Sequence, residues 1–568
     1  MSTRGFENGN SGDHRRIIGA SALSVLLLFG QSAPLLANPT GGAVVAGSAT
    51  IGAAGKTLSI NQSSNNAIIN WQTFSIASGE TTRFFVPNSN SNTLNFVAAG
   101  NPSAIYGTLS SNGHLFLINP SGILVGASGR IDTAGFVGST LNPNVAGSGT
   151  IVFSGNSNAS ISNLGTISAS SGNVYLIANQ VSNQGSITAP QGNVGLAAGS
   201  SVLLQQEGDQ HLFIQAGPST KRSVGVTNSG SIQSATAELK AAGGNAYALA
   251  INNTGSIAAN GFKKVNGQVY LTADTGVISN SGSIRATGSS HGGTVHIASL
   301  SGTINNSGII DVSATAAGGT GGSVSLKSAQ GLVSNTGVIN AKGGTGGAGG
   351  DVEVSGAAVD VNGGVVNTLA AGGQTGMFTI DPGTWTIAAS GGDETGAQVE
   401  ANLATTDVTL NADTTLTIND TIAWTSGTTL TLSTNVSGST IAINAPISGA
   451  ILVVDAASAS DLITTGNAGS INVLAFTLQN GTWQQIVGQN GLTALPAFTA
   501  SVDFELQNSS TFERFAGVDT TSDPGVSINE ITDVYGLQGI GSPSGALLGD
   551  SFELSEGCLL YTSPSPRD

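Results

Sequence analysis

A short phrase returns seven times along the chain: ISNLGTI (161–167), VSNQGSI (181–187), VTNSGSI (226–232), INNTGSI (251–257), ISNSGSI (278–284), INNSGII (304–310) and VSNTGVI (333–339). Its asparagines are Asn163, Asn183, Asn228, Asn253, Asn280, Asn306 and Asn335, with steps of 20, 45, 25, 27, 26 and 29 residues; the long step holds an insertion around 203–222. A second phrase accompanies it: GNVYLIA (172–178), GNVGLAA (192–198), GNAYALA (244–250), GQVYLTA (267–273), GTVHIAS (293–299), GSVSLKS (322–328) and GDVEVSG (350–356). Val269, Val295 and Val324 each precede the next repeat asparagine by 11 residues. Two landmarks held at a fixed offset, with periods of this length, define a solenoid in which each repeat is one coil.

Within a coil, apolar and polar residues alternate with period two, as in half-buried strands, and no i, i+3, i+4 stripe supports helices. A propeller would need longer blades and more aromatic residues than the 5% present. The fold class expected is therefore all-β: a right-handed parallel β-helix, or β-solenoid, in which every strand pairs with the coils above and below. In the coil at 172–178, Val174, Leu176 and Ala178 point inward and the residues between them face water. The repeat asparagines can stack as a ladder, each amide bonding the next, and the glycine two positions later is expected to take the positive φ of a tight corner. Residues 39–60 are the natural cap for the first coil, whose open strand edge would otherwise recruit other chains.

Composition agrees with this reading. Charged residues make up 8% and Gly alone 82 of 568, yet hydrophobic residues still reach 39%, so a core can be buried. A net charge of −16 excludes a phosphate-binding surface, which needs clustered Lys and Arg, and with it nucleic acid as a partner. Arg15-Arg16, the apolar run Ile17–Phe29 and Leu35-Leu36-Ala37 read as a secretory signal over 1–37. The paired arginines also suit the folded-export route, but their flanking residues fit it poorly. That run is too short for a membrane span, and no later stretch approaches the roughly 20 apolar residues required. The end CLLYTSPSPRD (558–568) reads as a translated sequencing adapter, so the natural chain is expected to be interrupted near Gly557. Cys558, the one cysteine, falls in that tail, leaving no disulfide or thiolate metal site before it.

Catalytic groups are sparse. His14, His114, His211, His291 and His296 have no metal-ligand spacing, and His296 shares an outward column with Tyr175, Tyr270 and Ser325, as a solvated face residue would. GGAGGDVEV (346–354) imitates a calcium-binding nonapeptide, but Glu353 replaces its large apolar residue and no copy follows, so Asp351 reads as part of a coil corner. Pectate-degrading β-helix enzymes project several acidic and basic groups from one groove, and residues 38–375 concentrate no such charge. The chain is expected not to be an enzyme and to need no cofactor. Acceptor triplets such as Asn252-Asn253-Thr254 and Asn435-Val436-Ser437 are coincidences in so Asn-rich a chain.

Residues 61–138 carry a more specific feature, HLFLINPSGILVG (114–126), where an apolar run halts at Asn119-Pro120-Ser121-Gly122 and resumes at Ile123. Pro120 fixes φ, Gly122 supplies a free turn and Asn119 can bond its own backbone, which makes a sharp corner between buried strands. About 130 residues here, from NQSSNNAIINWQTFSIASGETTRFFVP through NPSAIYGTLSSNGHLFLINPSGILVGASGRIDTAGFVGST, resemble the secretion domain of filamentous-haemagglutinin-like exoproteins of two-partner secretion. The family writes the corner as NPNGI; Ser121 stands here at its second Asn. The companion NPNL motif is missing in clean form, which tilts the resemblance toward high-molecular-weight adhesins and haem–haemopexin-binding proteins.

The resemblance implies a chain exported through the inner membrane and then by an outer-membrane partner transporter, a TpsB-type barrel, to the surface or surroundings of a Gram-negative bacterium. There it would act as an adhesin with an unidentified host or surface receptor. Haem–haemopexin capture and carriage of a carboxy-terminal contact-dependent toxin are the alternatives. Residues 38–160 are then the secretion domain, 161–375 the repeats, 376–500 less regular coils, and 501–557, with Phe504, Phe512, Phe515 and Tyr535, the start of another β module.

Overall fold

The computed structural model describes residues 38–98, 100–146, 150–204, 212–215, 225–242, 249–260, 267–519 and 526–555. The expected signal segment 1–37, most of the 203–222 insertion, residues 244–248, His14, His211 and the tail with Cys558 lie outside the described residues.

From residue 57 the chain winds as a parallel β-solenoid with three strands to a coil. One turn consists of Ser256–Ala259, Gln268–Ala273 and Val277–Asn280. These pair in parallel with Ser283–Arg285, Thr294–Ser299 and Ile304–Asn306 of the next turn. The period-two pattern makes Ile257, Val269, Leu271 and Ile278 the inward set, and all are buried. In-register pairing then stacks like on like: Val269, Val295, Val324 and Val352 form one column. Ile257, Ile284, Ile310, Ile339 and Val366 form another. One continuous core cluster runs from Leu58 to Tyr535.

The glycine after each repeat asparagine behaves differently from expectation. None of Gly165, Gly185, Gly230, Gly255, Gly282, Gly308 and Gly337 has a positive φ. Their role is steric: a Cβ on Gly255 would lie 2.1 Å from the Gly230 carbonyl oxygen, and one on Gly282 2.1 Å from that of Gly255. The coils approach so closely at this corner that only hydrogen fits between them.

The first coil is covered by antiparallel strands. Ala49–Ala54 pairs with Thr57–Gln62, and Ala43–Ala46 with Asn66–Trp71. A second departure from the parallel pattern is a four-stranded antiparallel flap of Asn142–Ala146, Thr150–Ser154, Ser201–Leu204 and Leu212–Gln215. This flap corrects the expectation that the residues between Val174, Leu176 and Ala178 face water. Tyr175 and Ile177 are buried, packed with Phe153, Val202 and Leu204 in a second core on the outside of the coil. His296 does share its column with Tyr270 and Ser325, but it is half-buried beside the Tyr270 ring, at 6.2 Å.

Coils continue beyond residue 375 with a new third sheet: Thr384–Ile387, Thr415–Ile418, Thr440–Ile443, Leu462–Thr465, Thr482–Ile486 and Thr511–Phe515. One eight-residue helix, Gly396–Leu403, lies between the first two strands of this sheet, in a chain built almost wholly of strands. Thr395 caps it by accepting from the Gln398 N–H at 3.2 Å, and Val399 and Leu403, one turn apart, enter the core. The expected boundary at 501 falls inside a strand, since Phe498–Leu506 pairs along Ile471–Asn480. Phe476, Trp483, Phe498, Phe504 and Phe512 fill these last coils, with Trp483 and Phe512 stacked at 5.7 Å. Tyr535, on the helix Val534–Gly539, packs on them and its hydroxyl bonds the Ala500 N–H and C=O at 2.9 and 3.2 Å.

Glu394, just before the first helix cap, is buried beside Trp385, and desolvation pushes its carboxyl up from 4.5 to about 8. Below pH 4.5 the folded and unfolded chains both hold the proton, so nothing is lost. Between that value and about 8 only the unfolded carboxyl ionises, and stability falls as pH rises by about 1.4 kcal/mol per unit. Above it the loss is complete. Glu394→Gln is therefore expected to raise the urea midpoint at pH 8 and leave it nearly unchanged at pH 4; parallel pH profiles for the two proteins would contradict the assignment.

Candidate functional site

The halt at 119–122 forms where the third coil turns between strands His114–Ile118 and Ile123–Val125. The Gly122 N–H donates to the Asn119 carbonyl at 3.0 Å, closing a β-turn with Pro120 at its second position, where the ring pre-sets φ. The Asn119 Oδ1 accepts from the Ser121 N–H at 2.9 Å, so the side chain supports the same turn. Gly122 sits at φ +114°, a conformation that strains any side chain.

The corner is tied to its neighbours on both sides. Toward the previous coil, the buried Asn119 amide donates to the Asn101 carbonyl and the Ser103 Oγ, each at 3.0 Å. Ser121 Oγ accepts from the Gly100 N–H at 3.0 Å, and the Gly122 carbonyl from the Ser103 N–H at 3.0 Å. Toward the next coil, the Asn119 N–H donates to the Ser139 carbonyl at 2.9 Å, and the Pro120 carbonyl accepts from Ser157 Oγ at 2.7 Å. Ile123, buried, then pairs in parallel with both Ser103 and Ile161. The turn thus sets the register of three successive strands at the level where the chain leaves the coil to build the flap. Ser103, Ser139 and Ser157 were not singled out from sequence, because nothing in a serine-rich chain separates these three from the rest.

The seven repeat asparagines come together in one buried file. Each Nδ2 donates to the next Oδ1: Asn163 to Asn183, Asn183 to Asn228, Asn228 to Asn253, Asn253 to Asn280, Asn280 to Asn306 and Asn306 to Asn335, at 2.7–2.8 Å. Before Asn163 the same position is Val125, and the Asn335 Nδ2 finds no acceptor at the far end. The ladder satisfies amides in a space that excludes water, and it is structural in chemistry, holding nothing reactive.

Among the described residues, the titratable groups are spread along the coils. Burial holds the His114 and His296 imidazoles below their usual range, so both are neutral at pH 7. Asp351 stands at a strand start between Ser323 and Met377. Among the described residues no group of three or more His, Cys, Asp or Glu is placed to hold a metal ion, and no helix is long and apolar enough to cross a membrane.

The first coils thus form a parallel solenoid with an antiparallel cap, an antiparallel flap and a bonded Asn-Pro corner. Residues 36–286 match the family model of the TPS secretion domain, and the chain carries such a domain. The crystal structure of the HMW1 secretion domain from Haemophilus influenzae is similar at 27% identity and a TM-score of 0.50, covering 60% of this chain and 100% of that one. Among curated proteins, a heme/hemopexin-binding protein of Haemophilus influenzae strain Rd is 34% identical over 102 residues, 18% of this chain and 11% of the relative. A second Haemophilus influenzae heme/hemopexin-binding protein is 35% identical over 83 residues, 15% of this chain and 9% of that protein. The chain therefore matches only about a tenth of the length of these curated relatives.

Proposed function

We propose that this chain is an exoprotein exported across the outer membrane of a Gram-negative bacterium by a TpsB-type partner barrel, and that its solenoid serves adhesion at or beyond the cell surface. The supporting observation is continuity: the core that begins at Leu58 inside the secretion domain runs unbroken through the coils that follow. A chain threading a pore unfolded can add each emerging segment to the coil already outside, and burial with new backbone bonds then opposes backsliding. The corner Asn119–Ile123 fixes the register of the first coils, on which all later ones template. Heme or hemopexin capture is the second reading, favoured by the named activity of the two curated relatives.

Expressing the chain in a Gram-negative host with and without a TpsB-type outer-membrane barrel tests the export route. Secretion only in the presence of the barrel is expected, and equal secretion without it would refute the proposal. Hemin titration of the secreted protein separates the two readings, a saturable Soret shift pointing to capture.

A further inference from the structure

Between the flap and the solenoid lies a cavity of about 280 Å³. Its two walls follow from strand register. Asn92, His114 and Gly135 succeed one another up the sheet, with Asn173 one strand further on. Two positions along each strand, Phe116, Val137 and Tyr175 form the parallel column. Polar amides and an imidazole thus line one side, aromatic and aliphatic carbon the other, and Ile151 and Leu204 of the flap form the roof.

The His114 ring lies against backbone glycines: a Cβ on Gly135 would meet its Nδ1 at 2.4 Å, and one on Gly172 its Cε1 at 2.6 Å. Two side chains are absent where the ring needs room, so its orientation is built in. None of the lining residues is Asp, Glu, Lys or Arg. Burial keeps His114 neutral and raises the Tyr175 phenol, so neither supplies a charge near pH 7.

We propose that this slot binds one neutral pyranose sugar residue. A pyranose presents a C–H face that suits the Phe116 ring and a hydroxyl edge that can donate to the Asn92 Oδ1 and meet the His114 imidazole, while the Asn92 Nδ2 is held by the Asn66 Oδ1 and the Asn90 carbonyl and the Asn173 Oδ1 by the Asn193 N–H. An anionic sugar would have to leave its carboxylate in an uncharged, half-apolar space, which opposes it. This site does not depend on the export reading, since it concerns the folded domain alone.

The test is calorimetry and saturation-transfer NMR on the secreted chain with D-glucose, D-galactose, D-mannose and N-acetyl-D-glucosamine, and with N-acetylneuraminic acid as the charged comparison. At least one neutral sugar is expected to bind, with an affinity in the millimolar range, and the acidic one to bind at least tenfold more weakly. Ile151→Trp, which fills the cavity from its roof, is expected to weaken binding at least tenfold with circular dichroism unchanged. Should that protein fail to fold, Phe116→Ala at a half-buried outward position removes the stacking face with the same expected loss. Absence of binding by all four neutral sugars, equal binding of the acidic one, or undiminished binding in the folded variants would overturn the proposal.

Discussion

Replacing Asn119 by alanine is expected to cut secretion about tenfold or more while the precursor still reaches the periplasm in normal amount. The substitution deletes the amide bonds to Asn101 and Ser103 and the carbonyl bond from the Ser121 N–H. Ser103 is fully buried, so its hydroxyl loses a partner where water does not reach, and the turn loses its internal brace. At 1–3 kcal/mol for each buried group left unpaired, the corner weakens by roughly 3 kcal/mol. Three strands take their register from it, so the loss falls on the nucleus rather than on one loop. Ser121→Ala, which removes only the bond from the Gly100 N–H, is expected to secrete nearly as well as wild type. Pulse-chase of both variants in the same host, with periplasmic and medium fractions separated, reads the difference; equal secretion of Asn119→Ala and wild type would remove the corner from the export mechanism.

A single asparagine taken from the middle of the ladder is expected to have the second large effect. Asn253→Leu keeps the branched shape, with bulkier methyl groups, but deletes the bonds from the Asn228 Nδ2 and to the Asn280 Oδ1, leaving a donor and an acceptor facing a hydrocarbon side chain. The expected cost is roughly 2–4 kcal/mol, concentrated in the two flanking coils. Asn335→Leu, at the end of the file, removes one bond only, along with an amide donor that already lacks an acceptor, and is expected to cost about half as much. Hydrogen exchange at the amides of 251–257 and 278–284 is expected to accelerate by one to two orders of magnitude in Asn253→Leu; a uniform change along the whole solenoid, or none, would show that the ladder is not a local clamp.

Much of this architecture is legible in the sequence because a solenoid repeats its instructions. The offset between Val269 and Asn280 recurs at Val295 and Val324, and the strands pair in that register. The residues of the corner are likewise readable, since Asn, Pro and Gly each restrict the backbone in a known way. What escaped is whatever occurs once. The flap strands belong to no repeat, yet VYLIA at 174–178 is apolar at every position whereas TVHIAS at 294–299 alternates, and that excess was the available sign that the outer face is covered. In strand Asn92–Val97 the inward residues are Thr93, Asn95 and Val97, with the Trp71 indole donating to the Asn95 Oδ1 at 2.9 Å. Phe96 and Phe116 point outward instead, where they pack against the core beneath the flap. The glycines after the repeat asparagines mislead in another way: close approach of two backbones and a positive φ both demand glycine, and sequence does not separate the two demands.

The central claim is that stacking of the inner columns drives the chain outward. Val269→Asn with Leu271→Asn places two amides in the core of a coil well beyond the corner, leaving residues 119–123 untouched. In cells carrying the partner barrel, the account predicts that this chain initiates transport and then stalls, with surface-exposed amino-terminal coils and protease-sensitive periplasmic remainder. Passage into the medium at the wild-type rate would contradict it.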